Sequence, residues 1–192
     1  MINKVNNDLN FKGNIIIDKT VRIPNKHRFE NVVALYQNLT MHLPEDTLHL
    51  SNIGNGTLAI YNDTVNKNGI DSGEAIYLKS LKTLFDKKSD LEIANNFVAA
   101  SKILKTFDIY QDLIESIKRS KIMLQNNQNK SRILRKEGKN NFADMYELLS
   151  KFSSNKIISL ERQLKDVINR FYTLKDRYVK TFPEMKDLEI IR

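Results

Sequence analysis

The sequence predicts an α+β fold dominated by helix, in which a small N-terminal β-containing subdomain precedes an antiparallel helical bundle or a coiled-coil-like helical hairpin. Two observations carry this prediction. Short segments in which apolar and polar residues alternate lie in the first third of the chain, and long apolar seams with helical spacing lie in the remainder. Strands followed by helices are typical of the α+β class, so we predict the subdomain over 1–70 and the helices over 71–192.

The N-terminal part contains three predicted elements. The first is a strand over 15–23, because its apolar residues alternate and a proline follows. The second, 29–39, fits the helical and the strand periods equally well, and both remain open. The third is a β-hairpin over 47–63, whose arms alternate around a Gly-Asn-Gly turn at 54–56. This alternation places His49 on the exposed face of the hairpin.

Two capping boxes predict the starts of the first two helices in the C-terminal part. Asp71 with Glu74 has the spacing of such a box and predicts a helix through about Lys87. Ser89 with Glu92 repeats that spacing and predicts a second helix. In each box the first side chain accepts a hydrogen bond from a backbone N–H that has no partner within the helix.

Two apolar seams predict helices that pack against another helix. Apolar residues over 93–114 and over 157–178 recur in steps of three and four, which is the pattern of a face turned towards a helical neighbour. Three arrangements satisfy this pattern. The residues between the seams form a third helix of a bundle, they prolong both helices into a hairpin, or one seam faces another copy of the chain.

Two interruptions of the helical pattern are predicted between the seams. The asparagine-rich run 125–129 contains poor helix formers and is the predicted loop, with Gly138 as a second stopping point. A shorter apolar segment from Phe142 to Phe152 has the spacing of the later seam but is out of phase with it. Residues that favour helix N-caps follow it, so we predict a break or kink at 153–155.

The composition restricts the class of protein. Apolar residues make up 41% of the chain, which is enough for a substantial core, and the absence of cysteine excludes disulfides, thiolate nucleophiles and cysteine-ligated zinc. The N-terminal residues lack the apolar core of a secretory signal, and no apolar run is long enough for a membrane span. We expect a soluble protein made in a cytoplasm, and export by a signal-independent route is compatible with this expectation.

Most of the excess positive charge lies in the segment 116–139. The chain carries a formal charge of +8, and this segment, with eight lysines and arginines against one acid, carries +7. We name its basic side chains as candidates for binding a partner or a polyanion. They are Lys118, Arg119, Lys121, Lys130, Arg132, Arg135, Lys136 and Lys139. The segment contains no aromatic residue, which disfavours base stacking, and a solvated turn is the alternative interpretation.

One acidic constellation has the spacing of a weak metal site. Asp108, Asp112 and Glu115 share a helical face and could hold Mg²⁺ together with a substrate phosphate. Glu115 also precedes Arg119 by four residues, the favoured orientation for a helical ion pair, so an ion-paired solvent face is the stronger interpretation. No nucleophile elbow or phosphate loop occurs. We therefore predict no catalytic residue and no cofactor, and a chain that is not an enzyme.

Together these features predict a non-enzymatic interaction protein, an adaptor or scaffold whose helices present a surface to a macromolecule. A protein is the expected partner, and homo-oligomers formed through the helical seams are compatible with the pattern. The alternative is binding of a polyanion, either nucleic acid or an acidic membrane surface, through 116–139. A cysteine-free module rich in Asn, Lys and Ile would suit a bacterial secreted effector or a phage accessory protein.

Overall fold

The structure, a computed structural model, describes residues 13–41, 47–54, 57–62 and 75–190. Contacts along the backbone divide the chain into two units. We call residues 1–107 with 171–192 the sheet unit, and residues 108–170 the hairpin unit. The predicted subdomain boundary near residue 70 lies outside the described residues.

The sheet unit contains a four-stranded mixed sheet whose strands follow the order of the sequence. The strands are β1 (Asn14–Ile17), β2 (Thr47–Asn52), β3 (Leu58–Asn62) and β4 (Ile76–Leu78). β1 and β2 run parallel, whereas the other two pairs are antiparallel. β2 and β3 form the hairpin that the sequence predicts, and Gly54 has a φ of 100° in the turn between them, a conformation that favours glycine.

β1 ends earlier than the strand predicted over 15–23. The Asp18 carboxylate accepts hydrogen bonds from the backbone N–H and the hydroxyl of Thr20, at 2.8 and 2.9 Å, and this local turn ends the strand. The same hydrogen bonds, the backbone one first, hold the pKa of Asp18 below its ordinary value. Val21 is buried although it lies beyond the strand.

The ambiguous segment 29–39 is helical and belongs to α1 (Lys26–Leu39). Asn25 caps this helix, because its side-chain oxygen accepts a hydrogen bond from the backbone N–H of Arg28 at 3.0 Å. α1 connects β1 to β2, and two parallel strands need a crossover of this kind. The choice between helix and strand therefore depends on strand pairing, which local periodicity does not contain.

The predicted helix from Asp71 to Lys87 is wrong over 75–80. α2 covers only Leu81–Lys87, and β4 occupies residues just before it. Ser80 caps α2 by accepting a hydrogen bond from the backbone N–H of Thr83 at 3.2 Å. Pairing with β3 holds β4 extended, so a tertiary contact outweighs the local pattern. The predicted capping box at 71–74 lies outside the described residues.

Two long helices, α3 (Asp90–Lys136) and α4 (Asn140–Tyr178), follow and pack against each other. The capping box at the start of α3 is confirmed. The backbone N–H and hydroxyl of Ser89 donate to Glu92 Oε2 at 2.8 and 2.7 Å, and the Glu92 N–H donates to Ser89 Oγ at 3.3 Å. The side-chain and then the backbone hydrogen bond from Ser89 hold the pKa of Glu92 below its ordinary value.

A tight turn at 137–139 joins α3 to α4, and Gly138 has a φ of 74° there. The second predicted stopping point is thus confirmed. The predicted loop at 125–129 and the predicted break at 153–155 are wrong, because both segments are helical. An asparagine inside a helix costs only about 0.7 kcal/mol relative to alanine, which contacts between packed helices readily offset. Of the three predicted arrangements, the prolonged hairpin is the one present.

The core of the sheet unit includes the inner ends of both long helices. Phe107 of α3 and Phe171 of α4 meet edge to face with their ring centroids 4.8 Å apart, and Phe171 is fully buried. A 3₁₀ turn at Pro183–Asp187 packs against β4 and buries Met185. Burial of these large side chains from distant parts of the sequence ties the C-terminal segment to the sheet.

Arg28 connects α1 to the junction between α2 and α3. Its guanidinium donates hydrogen bonds to the Asp90 carboxylate at 2.7 Å and to the backbone carbonyls of Phe85 and Lys88 at 2.7 and 2.8 Å. The same group lies 5.2 Å from the centroid of the Phe85 ring. Arginine suits this position because its fork of donors serves three acceptors at once.

His49 is buried, so its predicted exposure is wrong. Its exposed fraction is 8%, and its ring stacks on Tyr61 with the centroids 5.4 Å apart. Tyr61 and the neighbouring Ala59 are buried as well, although their side chains lie on the opposite face of β3 from Ile60. Both faces of this part of the sheet are therefore covered, which an alternating sequence pattern does not predict.

Within the described ranges, none of the helices is apolar enough over a sufficient length to cross a membrane.

Candidate interaction surface

In the middle of the hairpin unit, α3 and α4 pack through small residues. Every buried residue between 118 and 156 is a serine or an alanine. These residues are Ser120, Ser131, Ala143, Ser150 and Ser153. Small side chains allow two helix backbones to approach closely, but they bury little apolar surface. The inner face of this part of the hairpin unit therefore lacks large apolar residues.

Three of the buried serine hydroxyls donate hydrogen bonds to backbone carbonyls. Ser131 Oγ on α3 donates to the backbone carbonyl of Ala143 on α4 at 3.1 Å. Ser150 and Ser153 donate to backbone carbonyls one turn earlier in α4, at 2.9 and 3.0 Å. These bonds explain why α4 continues through 153–155, where N-cap residues predict a break: the Ser153 hydroxyl is paired inside the helix and does not cap a new one.

Large apolar residues instead lie on the outer face of α4. Five of them form what we call the apolar stripe. They are Phe142, Met145, Leu148, Leu149 and Phe152, with exposed fractions of 61, 47, 54, 41 and 63%. Their spacing places them within an arc of about 120° on the helix. Contiguous apolar patches of this kind are unusual on the surface of a monomeric protein and mark contact surfaces.

The phase of the sequence pattern explains why the apolar stripe is exposed. Ile157, which is buried, follows Phe142 by fifteen residues and is therefore rotated from it by about 60° on a continuous helix. One straight helix cannot turn both patterns towards α3. Because α4 is unbroken, the later pattern faces inwards and the apolar stripe faces outwards. The phase shift was visible in the sequence, and its outcome depended on whether the helix continued.

Four of the eight basic candidates in 116–139 are held by acidic side chains. Arg119 pairs with Glu115 at 2.5 Å, and Lys139 with Glu137 at 2.8 Å. Lys121 pairs across the hairpin with an α4 glutamate at 3.1 Å. These pairs are exposed, so each contributes at most about 1 kcal/mol. They nevertheless reduce the positive potential that the segment presents.

Arg135 has two acidic partners on α4. It contacts Glu147 and Asp144 at 2.8 Å each. The hydrogen bond with Glu147 and the charge of that carboxylate raise the pKa of Arg135. Arg132, Arg135 and Lys136 are spaced three and four residues apart on α3, but the side chain of Arg135 is paired with acidic residues of α4.

The remaining four candidates form no ion pair with the described residues. Lys118, Arg132 and Lys136 have no acidic side chain within 4 Å. Lys130 lies over the ring of Tyr146, with its ammonium 5.5 Å from the centroid. Arg132 and Lys136 are one turn apart on α3, whereas Lys118 lies almost four turns earlier. The structure thus brings together two free cations and not eight.

The three carboxylates of the acidic constellation lie on α3. Glu115 pairs with Arg119 at 2.5 Å, as the ion-paired interpretation predicts for this residue. In the described part of the chain, no three histidine, aspartate or glutamate side chains lie close enough together to hold a metal ion.

The sheet unit contains a groove of about 480 Å³ between β4, α2 and the C-terminal 3₁₀ turn. Its described lining is mixed in charge, with lysines at 79, 87 and 88 facing Glu184 and Asp187. The lining includes Tyr77 and Ser80 but no histidine.

Comparison with known proteins gives no further assignment. No protein-family model, curated protein or solved structure matches this chain. We therefore base the functional assignment on the apolar stripe of α4 and on the cations of α3 that form no ion pair with the described residues.

Proposed function

We propose that this chain is a non-enzymatic interaction protein, an adaptor or scaffold, and that the apolar stripe is the surface by which it binds a protein partner. The observation that carries the proposal is the exposure of five large apolar side chains on one face of α4, while every buried residue of the same segment is a serine or an alanine. Because the large apolar residues lie on the outer face, a partner that covers them would remove their surface from water, which favours binding.

The size of the apolar stripe is sufficient for a specific contact. Full burial of one large apolar side chain contributes about 1.5–3 kcal/mol, and those in the stripe are about half exposed. Covering all five therefore supplies a few kcal/mol or more, against the loss of translational and rotational freedom on association. Two phenylalanines near the ends of the stripe, Phe142 and Phe152, are suited to anchor the contact.

Site-specific photo-crosslinking in the cells that contain the protein tests the proposal. A photoreactive phenylalanine analogue replaces Leu148 in the stripe or, as the control, Ile158, which lies on the same helix outside the stripe. Both residues are 54% exposed, so the two probes have equal access to solvent. We expect covalent protein adducts from position 148 and few from position 158, and no loss of the adduct when salt is raised, because apolar contacts are not screened.

Two results would contradict the proposal. One is the absence of any protein adduct at position 148, and the other is equal labelling at both positions. Replacing Phe152 by glutamate in the presence of the probe at 148 supplies a further check, because a charge within the stripe abolishes a genuine contact and leaves random collisions unchanged.

A second candidate function, polyanion binding, is favoured by the cations that have no acidic partner. Lys118, Arg132 and Lys136 keep their charge available to phosphate groups, and Arg132 offers a planar fork that matches phosphate oxygens. The test is titration of the protein into labelled duplex DNA and duplex RNA at low and physiological salt. If this function is correct, affinity falls steeply with salt.

The variant for this test changes only these three free cations, so that the Arg135 ion pairs stay intact. K118E/R132E/K136E is compared with K156E/R162E/K165E, which changes the net charge equally on α4. Loss of binding by the first variant alone supports polyanion binding through 116–139. Weak binding by the unmodified chain at physiological salt, or equal losses in the two variants, rejects it in favour of a general charge effect.

A further inference from the structure

We infer that the apolar stripe binds a second copy of this chain, with the two α4 helices antiparallel across a two-fold axis near Glu147. The inference rests on the proposed function, because it names the partner that covers the stripe. A two-fold interface uses the same patch on both subunits, so the patch must be complementary to its own reversed image. The residues of α4 meet this condition.

Four of the five apolar residues of the stripe are symmetric about the position of Glu147 along α4. Phe142 precedes and Phe152 follows this residue by five positions, and Met145 precedes and Leu149 follows it by two. In an antiparallel pair centred there, Phe142 of one copy therefore faces Phe152 of the other, and Met145 faces Leu149. Each contact therefore pairs a residue that precedes the axis in one copy with a residue that follows it in the other, as in antiparallel coiled coils.

The charges beside the stripe show the same reversed complementarity. Lys151 lies four residues after Glu147 and Asp144 three before it, so each Lys151 falls beside Asp144 of the second copy. A symmetric dimer forms this opposite-charge pair twice, once on either side of the axis.

The acid in this pair remains accessible in the single chain. Asp144 is 63% exposed, although it already accepts a hydrogen bond from Arg135. A carboxylate has about four acceptor sites, so one intramolecular contact leaves room for a second. Exposed ion pairs add little affinity, and their main effect here is to select the antiparallel register.

The charge pattern distinguishes this partner from two others. In a parallel pair, identical residues meet, so Lys151 would face Lys151 of the second copy across the interface, which is unfavourable. On an anionic lipid surface, the carboxylate of Asp144 beside the stripe would be repelled by the headgroups. Of these three arrangements, the antiparallel pair of two copies is the one that places Lys151 beside an acid.

Analytical ultracentrifugation of the whole chain over a dilution series tests whether the dimer exists. We expect a reversible monomer–dimer equilibrium. The dissociation constant of the dimer should rise by about tenfold or more in L149E and F152E, because each variant places an unpaired charge in an apolar contact. I158E, an equally exposed site outside the stripe, leaves the equilibrium unchanged. Circular dichroism confirms that each variant keeps its helix content.

Cysteine crosslinking tests the register, and the natural chain has no cysteine to interfere. An equimolar mixture of F142C and F152C should form a disulfide-linked heterodimer under mild oxidation. Either variant alone should form much less, because its two cysteines lie about 15 Å apart along the interface, beyond the reach of a disulfide. Equal crosslinking in all three samples overturns the antiparallel register.

Charge variants test the flanking pairs independently. K151E places acid against acid in its own dimer, and D144K places base against base, so both homodimers should weaken. A mixture of the two restores opposite charges across the axis and should form the heterodimer in preference to either homodimer. A mixture that behaves as the average of its components contradicts the pairing of Lys151 with Asp144.

The outcomes separate this inference from the proposed function. A chain that stays monomeric at all concentrations, or dimers that survive both L149E and F152E, overturn the inference. If that monomer still gives protein adducts at position 148 in cells, the proposed function stands with a different protein as partner. If it instead binds vesicles of acidic phospholipid and loses this binding in F152E, the stripe is a lipid-binding surface, and both the inference and the proposed protein partner are rejected.

Discussion

The two apolar patterns of α4 have the same spacing and opposite environments. Ile157 and Phe171 belong to the pattern over 157–178 and are buried, with Phe171 fully enclosed beside Phe107. Phe142 and Phe152 belong to the apolar stripe and are the most exposed large apolar residues of the helix. The comparison shows that helical spacing predicts an amphipathic face but does not identify what covers it.

The difference arises from phase and from the size of the residues opposite. Between the two patterns the register shifts by about 60°, and α4 continues without a break, so only one pattern faces α3. Next to the stripe, the inner face of α4 is built from small residues such as Ser150 and Ser153. The two helices of the hairpin unit therefore pack through small residues here, and the large apolar residues stay exposed.

The largest expected effect comes from truncating one phenylalanine of each pattern. F171A should destabilise the protein by about 3–5 kcal/mol, because it removes a fully buried ring and its edge-to-face contact with Phe107. F152A should change stability by about 0.5 kcal/mol or less when measured at a concentration that keeps the chain monomeric. Urea unfolding of both variants checks the contrast, and equal losses would show that the two patterns are buried alike.

A proline introduced at the predicted break tests whether the continuity of α4 keeps the two patterns apart. S153P should cost about 3 kcal/mol or more, because it removes a backbone donor inside the helix and clashes with the preceding turn. S153A removes only the hydroxyl that donates to the Leu149 carbonyl and should cost about 1 kcal/mol or less. If S153P is tolerated as well as S153A, α4 is already interrupted there. Unfolding followed by circular dichroism provides the measurement.

Enlarging a small interhelical residue tests the close packing of the inner face. S131L should cost about 1–3 kcal/mol, because the buried side chain lies against the backbone of Ala143 and has no space for a larger group. N129L, at an exposed position two residues earlier, serves as the control and should be neutral or slightly stabilising. Thermal unfolding of the pair measures the difference. A neutral S131L would indicate that α3 and α4 are not in close contact here.

The smallest effect is the pH dependence contributed by the capping box of α3, the helix that only the later pattern of α4 faces. The folded state lowers the pKa of Glu92, so its stabilising contribution is present above the ordinary glutamate pKa and is lost as the pH falls through the lowered value. E92Q lacks this titration. We expect the stability of the unmodified chain to fall more steeply at acidic pH than that of E92Q, and parallel curves from urea unfolding would contradict the assignment.

Some of the candidate surface could be read from the sequence and some could not. The phase shift between Phe152 and Ile157 was visible, but its consequence depended on whether α4 broke at 153–155. The charge excess of 116–139 was also visible, yet the ion pairs that occupy Arg135 and Lys121 come from α4. Residues far apart in sequence meet across the hairpin, and a count of local charge contains no information about them.

By itself, the sequence determined the features that depend on neighbours along the chain. These are the helical period of the two seams, the Ser89 capping box, the glycine turn of the hairpin formed by β2 and β3, and the stop at Gly138. All of them follow from backbone conformation and from hydrogen bonds within a few residues. Such interactions are encoded locally, so a single sequence is sufficient to predict them.

Only the tertiary structure decided the features that depend on a distant partner. β4 is extended because it pairs with β3, α1 is a helix that connects two parallel strands, and His49 is buried against Tyr61. In the same way, packing against α3 decided which pattern of α4 was buried and left the apolar stripe exposed. Pairing and burial depend on contacts between segments far apart in sequence, whereas periodicity reports only that a face is apolar.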